Sequence, residues 1–275
     1  MTGCHTGITN NQQYFAVTTS HRPTPVQVSH AVKLAAELSV PFIPRNDLSI
    51  ESMISNIGIA GIMVISSQRI SFFTGKSEFF FHPGLAKLRI NELKNGKTDQ
   101  MVQAMSLQAG DTLLDCTLGL GSDSIVASYV SGSRGRVTGL ESSILIAAIV
   151  GQGLKTYQLA DADISQAMQR VEVVHFYHKD YLAGLPPRSY DVVYFDPMFR
   201  SPRKKSPYMD AMRAIANPNP IDRETIAMAL KACTKRVVMK ERRWSKEFER
   251  LGFKEIRGGK HAPVVYGVID RQVMG

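Results

Sequence analysis

From Lys97 onward the chain alternates apolar runs with helical stretches, and this rhythm limits what it can fold into more than any other feature. TDQMVQAMSL reads as a helix, DTLLDCTLG as a strand entering a glycine turn, DSIVASYVS as a helix and RVTGLES as a second strand. A helical stretch then continues to about Gln169, followed by strands in VEVVHFYHKD and YDVVYFDP, a helix in RETIAMALKAC and a strand in KRVVMKER. FKEIRGG and PVVYGVI close the chain as an antiparallel pair. Strand–helix alternation predicts an α/β fold with a doubly wound, mostly parallel, Rossmann-like sheet, whose ligands sit at the carboxyl ends of the strands near the topological switch. Ahead of it, strands in YFAVTTS, GIMVISS, RISFFTG and SEFFFHPG, with helices in TPVQVSHAVKLAAEL and LAKLRINELKN, predict a small N-terminal α/β domain. The expected division is residues 1–95 and 96–275.

The expected strand ends carry the chemistry. LLDCTLGLGSDSIVAS places Asp115 at the end of a strand, Gly119 and Gly121 in the turn, and Ser122 and Asp123 where the next helix needs a cap. Such a turn brings helix N–H groups and bare backbone close to a ligand, although any strand–turn–helix also uses glycine. Glu141 follows Gly121 by 20 residues at the end of the next strand, where a carboxylate accepts hydrogen bonds from ribose hydroxyls. Asp180 is expected at the third strand end, beside an adenine amino group, and Asp196 at the fourth. Any one acid here also reads as a cap or a solvated loop residue; four in succession point to a ligand. Acids repel the pyrophosphate of a dinucleotide and suit a cationic sulfonium, so the pattern points to S-adenosylmethionine rather than NAD.

The charge adds a second ligand. The net charge is +9, and residues 196–260 hold 17 basic against 8 acidic groups while residues 96–195 carry a net −3. A basic region of this kind attracts a polyanion, or serves only as a solvated face. Arg200, Arg203, Lys204 and Lys205 crowd the loop after Asp196, and Lys240, Arg242 and Arg243 follow as surface candidates. Trp244 reads as partly buried packing, and His175 and His178 as ordinary structural histidines. The three cysteines, at 4, 116 and 233, have no paired spacing, which fits a reducing cytoplasm and no metal site. No apolar run is long enough for a membrane span, and the opening residues lack an apolar signal core.

DCTLGLGSDSIVAS resembles the D-A-T-A-G-L-G-R-D opening of the bacterial ribosomal RNA small subunit methyltransferase J family. DVVYFDPMF resembles its V-V-Y-L-D-P-M-F, and KRVVMKERR is similar to its T-K-R-V-V-V-K-R. The resemblance covers residues 96–267; the first 85 residues match poorly, and Ser122 stands where the family has arginine, as in a divergent branch. It implies a class I S-adenosylmethionine-dependent methyltransferase acting on the exocyclic N2 of a guanine in small-subunit ribosomal RNA. Carried over by position, cofactor contacts fall on Ser122, Asp123, Glu141, Ser142, Lys179, Asp180 and Asp196.

An exocyclic amine is a poor nucleophile because its lone pair is delocalised into the ring. Acceptors on its N–H groups localise that pair, and Asp196 with the Pro197 carbonyl supplies two. Phe199 is placed to stack on an unpaired base, and Arg200, Arg203, Lys204 and Lys205 to hold flanking phosphates. The partner expected is RNA, free or in the ribosomal subunit. Two readings stand beside this one: an amino-methyltransferase acting on DNA, tRNA or protein, and a non-catalytic nucleic-acid-binding protein of the same fold.

Overall fold

The structure is a computed structural model that describes residues 15–75, 77–197 and 207–271. The chain forms two compact units, one of Met1–Phe79 with Pro207–Ala211, the other of Phe80–Ser206 with Met212–Gly275.

In the first unit, β1 (Phe15–Thr19) leads to α1 (Pro25–Glu37) and α2 (Ile50–Ile57), followed by β2 (Gly61–Ile65), β3 (Ile70–Thr74) and β4 (Ser77–Phe80). The strands lie in the order β1-β2-β3-β4, with β1 and β2 parallel and β2 and β3 antiparallel. Thr24 opens α1 through a reciprocal capping pair with Gln27, with Pro25 following as the first helical residue. The helix buries Ala31, Leu34 and Ala35 and leaves Val32 exposed. Of Val28, Val32, Ala35 and Leu38, whose helical spacing in the sequence predicts one inward stripe, Ala35 and Leu38 are buried and Val32 is not. A second helix, α2, joins the expected elements; Ser49 caps it and Gly58 ends it.

The second unit begins with α3 (Gly84–Lys94) and α4 (Gln100–Met105). It continues through β5 (Thr112–Asp115), α5 (Ser122–Ser131), β6 (Arg136–Glu141), α6 (Ile144–Thr156), α7 (Ala162–Gln169) and β7 (Val171–His175). Then come α8 (His178–Gly184), β8 (Tyr190–Phe195), α9 (Pro207–Arg213, which straddles the division), α10 (Arg223–Ala232) and β9 (Cys233–Arg242). The last described elements are α11 (Glu247–Leu251), β10 (Glu255–Arg257) and β11 (Val264–Asp270). The boundary expected at Asn95 falls instead after Phe79, because α3 packs on α5 and sends Arg89 to Asp99 and Asp123. The helical stretch expected to run to Gln169 is two helices, since Asp161 caps a new start.

The sheet order is β10-β11-β9-β8-β5-β6-β7. The five strands from β9 to β7 are parallel, and β11 lies antiparallel between β9 and β10. The run Val192, Val193, Tyr194 and Phe195 is wholly buried, as expected of a parallel strand covered on both faces. Strand order reverses between β5 and β8, so the crevice at their carboxyl ends is the switch point. Cys116 and Cys233 are buried free thiols. Among the described residues no helix is long and apolar enough to cross a membrane, and no cluster of His, Cys, Asp or Glu is arranged to hold a metal ion.

Candidate active site

At the end of β5 the Asp115 carboxylate accepts from the Thr117 N–H at 3.0 Å and the Ser124 hydroxyl at 2.7 Å. It thereby ties the turn to α5. Its burial pushes the carboxyl up to about 7, against those two donors. Gly119 and Gly121 both adopt positive φ, 50° and 73°, which lets the backbone reverse without a strained side chain. Gly121 takes the N-cap position of α5 with no side chain on the helix N–H groups; Ser122 and Asp123 lie inside the first turn, so neither caps it.

Glu141, at the end of β6, reaches back across this turn. Its carboxylate accepts from the Gly119 N–H at 3.2 Å, the Ser143 N–H at 2.8 Å and the Ser142 hydroxyl at 3.4 Å. Burial pushes the group upward, and these donors hold it back. Glu141 and Ser142 border a cavity of about 780 Å³ that also takes in Cys116, Thr117, Gly119 and His178. Asp196 and Pro197 border the same cavity. The structure thus brings together Gly119, Glu141, Ser142, Asp196 and Pro197.

Other residues expected at the cofactor lie elsewhere. β7 ends at His175, where the Phe176 N–H makes the last ladder bond to the Glu141 carbonyl at 3.0 Å, and α8 begins at His178. Asp180 is therefore an exposed residue in the first turn of a helix, not a strand-end acid. Lys179 pairs with Asp222 at 2.7 Å and Glu224 at 2.6 Å. Neither borders the cavity, and Ser122 does not either. In their place stands His178, 8% exposed, with its ring edge-on to Phe195 at 5.9 Å. Burial pulls its imidazole down to about 4, so it is neutral at physiological pH. Its Nε2 has no hydrogen-bond partner among the described residues. Phe199, Arg200, Arg203, Lys204 and Lys205 lie outside the described residues.

Asp123 belongs to a different structure, a buried row of alternating charges. Arg89 donates to both Asp99 oxygens at 2.7 and 2.9 Å and, through Nη1, to Asp123 Oδ1. Lys240 donates to Asp123 Oδ2 at 3.0 Å and to Asp196 Oδ2 at 2.7 Å, and the Tyr194 hydroxyl adds a 2.7 Å bond to Asp123. Carboxylates and cations alternate along Asp99, Arg89, Asp123, Lys240 and Asp196, so each charge faces an opposite one. Despite its burial, Asp123 is held well below the usual carboxylate range, by Lys240 and then Arg89. Asp196 is pushed up to about 6, first by burial and then by Asp123, with Lys240 opposing. Its backbone N–H donates to the Thr117 hydroxyl at 2.6 Å, which locks the β8 end to the β5 turn.

The row corrects two expectations, since Lys240 reads as surface in the sequence and Arg89 as part of a separate domain. Strand parity is the available signal for Lys240, which shares a face with the buried Val238. Trp244, expected to pack, is 73% exposed at the cavity rim.

The lining fits a cationic cofactor without phosphates. Its β5–β6 side presents a buried carboxylate and a neutral imidazole, with no lysine or arginine among Cys116, Thr117, Gly119, Leu140, Glu141, Ser142 and His178. The family model for putative SAM-dependent methyltransferases matches residues 78–260. The chain belongs to that family. Ribosomal RNA small subunit methyltransferase J of Chromobacterium violaceum is 31% identical over 231 residues, covering 80% of this chain and 84% of that enzyme. The same enzyme of Cellvibrio japonicus is 32% identical over 158 residues, 58% of its length. The uncharacterized protein YpiP of Bacillus subtilis is 35% identical over 255 residues, 92% of this chain and 98% of that one. A SAM-dependent methyltransferase of Neisseria gonorrhoeae shares the fold, with a TM-score of 0.63 over 93% of this chain and 96% of that one, at 18% identity. This methyltransferase is thus a class I, Rossmann-like enzyme related to the J enzymes, and its cofactor is S-adenosylmethionine.

Proposed function

We propose that this methyltransferase acts on the exocyclic N2 amine of a guanine in small-subunit ribosomal RNA, with the cytoplasm as its compartment. The observation that carries the reading is that Asp196 and Pro197, at the end of β8, share one cavity with Glu141, at the end of β6. The J enzymes are named for ribosomal RNA, and the D-P-M-F block supports the same substrate here.

Glu141 and Ser142 would hold the ribose, the Gly119 backbone would lie against the cofactor, and His178 would wall its far side. When bound, the cofactor supplies an electrophilic methyl group on a sulfonium. The protein then positions and polarises the amine. Lys240 anchors one oxygen of Asp196, and the Thr117 hydroxyl fixes its backbone. The other carboxylate oxygen and the Pro197 carbonyl accept the two amine N–H bonds and localise the lone pair toward the methyl group. The Asp196 carboxylate would accept one amine proton as the nitrogen takes the methyl group, whose C–S bond to the donor breaks to leave a neutral thioether. Phe199 would stack on the base, and Arg200, Arg203, Lys204 and Lys205 would take the flanking phosphates.

The test is transfer of labelled methyl to small-subunit RNA, free or in the subunit, at saturating donor, with cofactor affinity measured separately. Asp196→Ala should lose about 10²–10³ in rate, the usual effect of removing one preorganised transition-state interaction, while Asp196→Asn retains more. Near-normal transfer by Asp196→Ala would overturn the role of Asp196. Label appearing in tRNA, DNA or protein instead would move the substrate and leave the chemistry standing.

A further inference from the structure

We propose that Trp244 is a stacking platform for an unpaired nucleobase of the substrate strand, at the rim of the cavity that holds Asp196. The inference rests on the reading that the substrate is RNA, and it concerns a residue outside the methyl-transfer machinery described above.

An indole gains more from burial than most side chains, and its flat face is suited to stacking on a nucleobase. Trp244 is 73% exposed. It is also not loosely held, because the backbone on both sides is tied down. The Arg243 N–H donates to the Pro263 carbonyl at 3.1 Å and the Ser245 N–H to the Arg242 carbonyl at 3.0 Å. The Arg243 guanidinium donates to the Ala262 carbonyl at 3.0 Å and also to the Gly259 carbonyl. A ring presented to solvent on a pinned turn has already met much of the ordering cost that binding would impose.

The surroundings select the ligand. Trp244 borders the same cavity as Asp196, together with the Asn-Pro-Asn-Pro segment 217–220. That segment is itself shaped by an Asn219 N–H to Asn217 Oδ1 bond of 2.9 Å. Two proline rings offer flat apolar surface, and two amides offer donors and acceptors for a base edge. Arg242 and Lys246 also border the cavity, beside Glu241 and Glu247. A flat ring at a rim carrying both cations and hydrogen-bonding amides matches an unpaired base and its phosphate better than an apolar protein surface.

Trp244 is the only tryptophan of the chain, so tryptophan emission, excited selectively over the nine tyrosines, reports on this position alone. The experiment titrates the full chain with labelled guanine-containing single-stranded oligonucleotides that tile small-subunit ribosomal RNA, in the presence of S-adenosylhomocysteine. Tryptophan emission and the anisotropy of the labelled oligonucleotide are followed together. Emission should be quenched with the same midpoint as the anisotropy. Trp244→Phe should retain most of the affinity, whereas Trp244→Ala should weaken RNA binding about 5- to 150-fold, the range for one stacked base. Affinity for S-adenosylhomocysteine should stay the same in both variants. Oligonucleotide binding without quenching, and with Trp244→Ala unimpaired, would overturn the inference and leave the RNA reading intact. Quenching by ribosomal proteins but not by RNA would overturn it in favour of a protein contact. Absence of both RNA binding and methyl transfer to RNA would remove the reading and the inference together.

Discussion

Asp196 works, in the mechanism proposed for it, through its ionised form, and its surroundings set when that form exists. Burial and the neighbouring Asp123 push its carboxyl up to about 6, so below that pH the group is protonated, has lost its negative charge and cannot take up the amine proton. Transfer at saturating donor and RNA should therefore fall as pH drops through about 6 and level off above 7. The fold should survive that range. Asp123 is depressed, so the stability it contributes is present above the unfolded value of about 3.9 and is lost only as pH falls toward its lower folded value. A rate limb near 6 with unchanged circular dichroism would separate chemistry from unfolding; coincident loss of both would count against the assignment. Lys240 stands between the two acids, so Lys240→Met leaves two carboxylates facing each other. Stability should drop by roughly 3 kcal/mol, the lower end for a broken buried pair because Arg89 still faces Asp123. The rate limb should move to higher pH, which a merely structural lysine would not cause. Denaturant titration and the pH–rate profile measure the two effects.

At the scale of elements, the site is a joint between the β5 turn and the ends of β6 and β8. Glu141 is the joint's middle member, bonded to both Gly119 and Ser143. Glu141→Ala should lower cofactor affinity at least tenfold, since hydrogen bonds to a charged acceptor contribute about 1.5–3 kcal/mol each. Glu141→Gln should lose less, and calorimetry with S-adenosylmethionine distinguishes them; unchanged affinity in the alanine variant would sink the ribose assignment. Glu141 is legible in the sequence because apolar strand, glycine turn and strand-end acid are all local signals. Asp180 misleads because FYHKD continues an aromatic run past the end of β7, while the chain has already entered α8 at His178. Arg89 is hidden for a related reason. Its partners Asp99 and Asp123 lie on other elements, and no local pattern records that a helix near the chain's start belongs to the second unit. Phe199 and the basic run that follows it rest on sequence alone, as they lie outside the described residues.

At the scale of the whole molecule, the formal charge of +9 is concentrated after residue 195. Neutralising Arg203, Lys204 and Lys205 together should weaken RNA binding and reduce its salt slope by about 0.7 for each phosphate no longer neutralised. Cofactor affinity should not change; an unaltered salt slope would mean that the run is only a solvated face. The sheet order carries a further consequence. Among the described strands β11 comes last in the chain, yet it lies between β9 and β10, and its Tyr266 sits opposite Lys240. On the ribosome, chains emerge at about 5–20 residues per second, and until segment 264–270 is out, β9 waits with one open edge. The strand that carries Lys240 is thus walled in late, and the side of the sheet that holds the proposed site stays open until β11 has been synthesised.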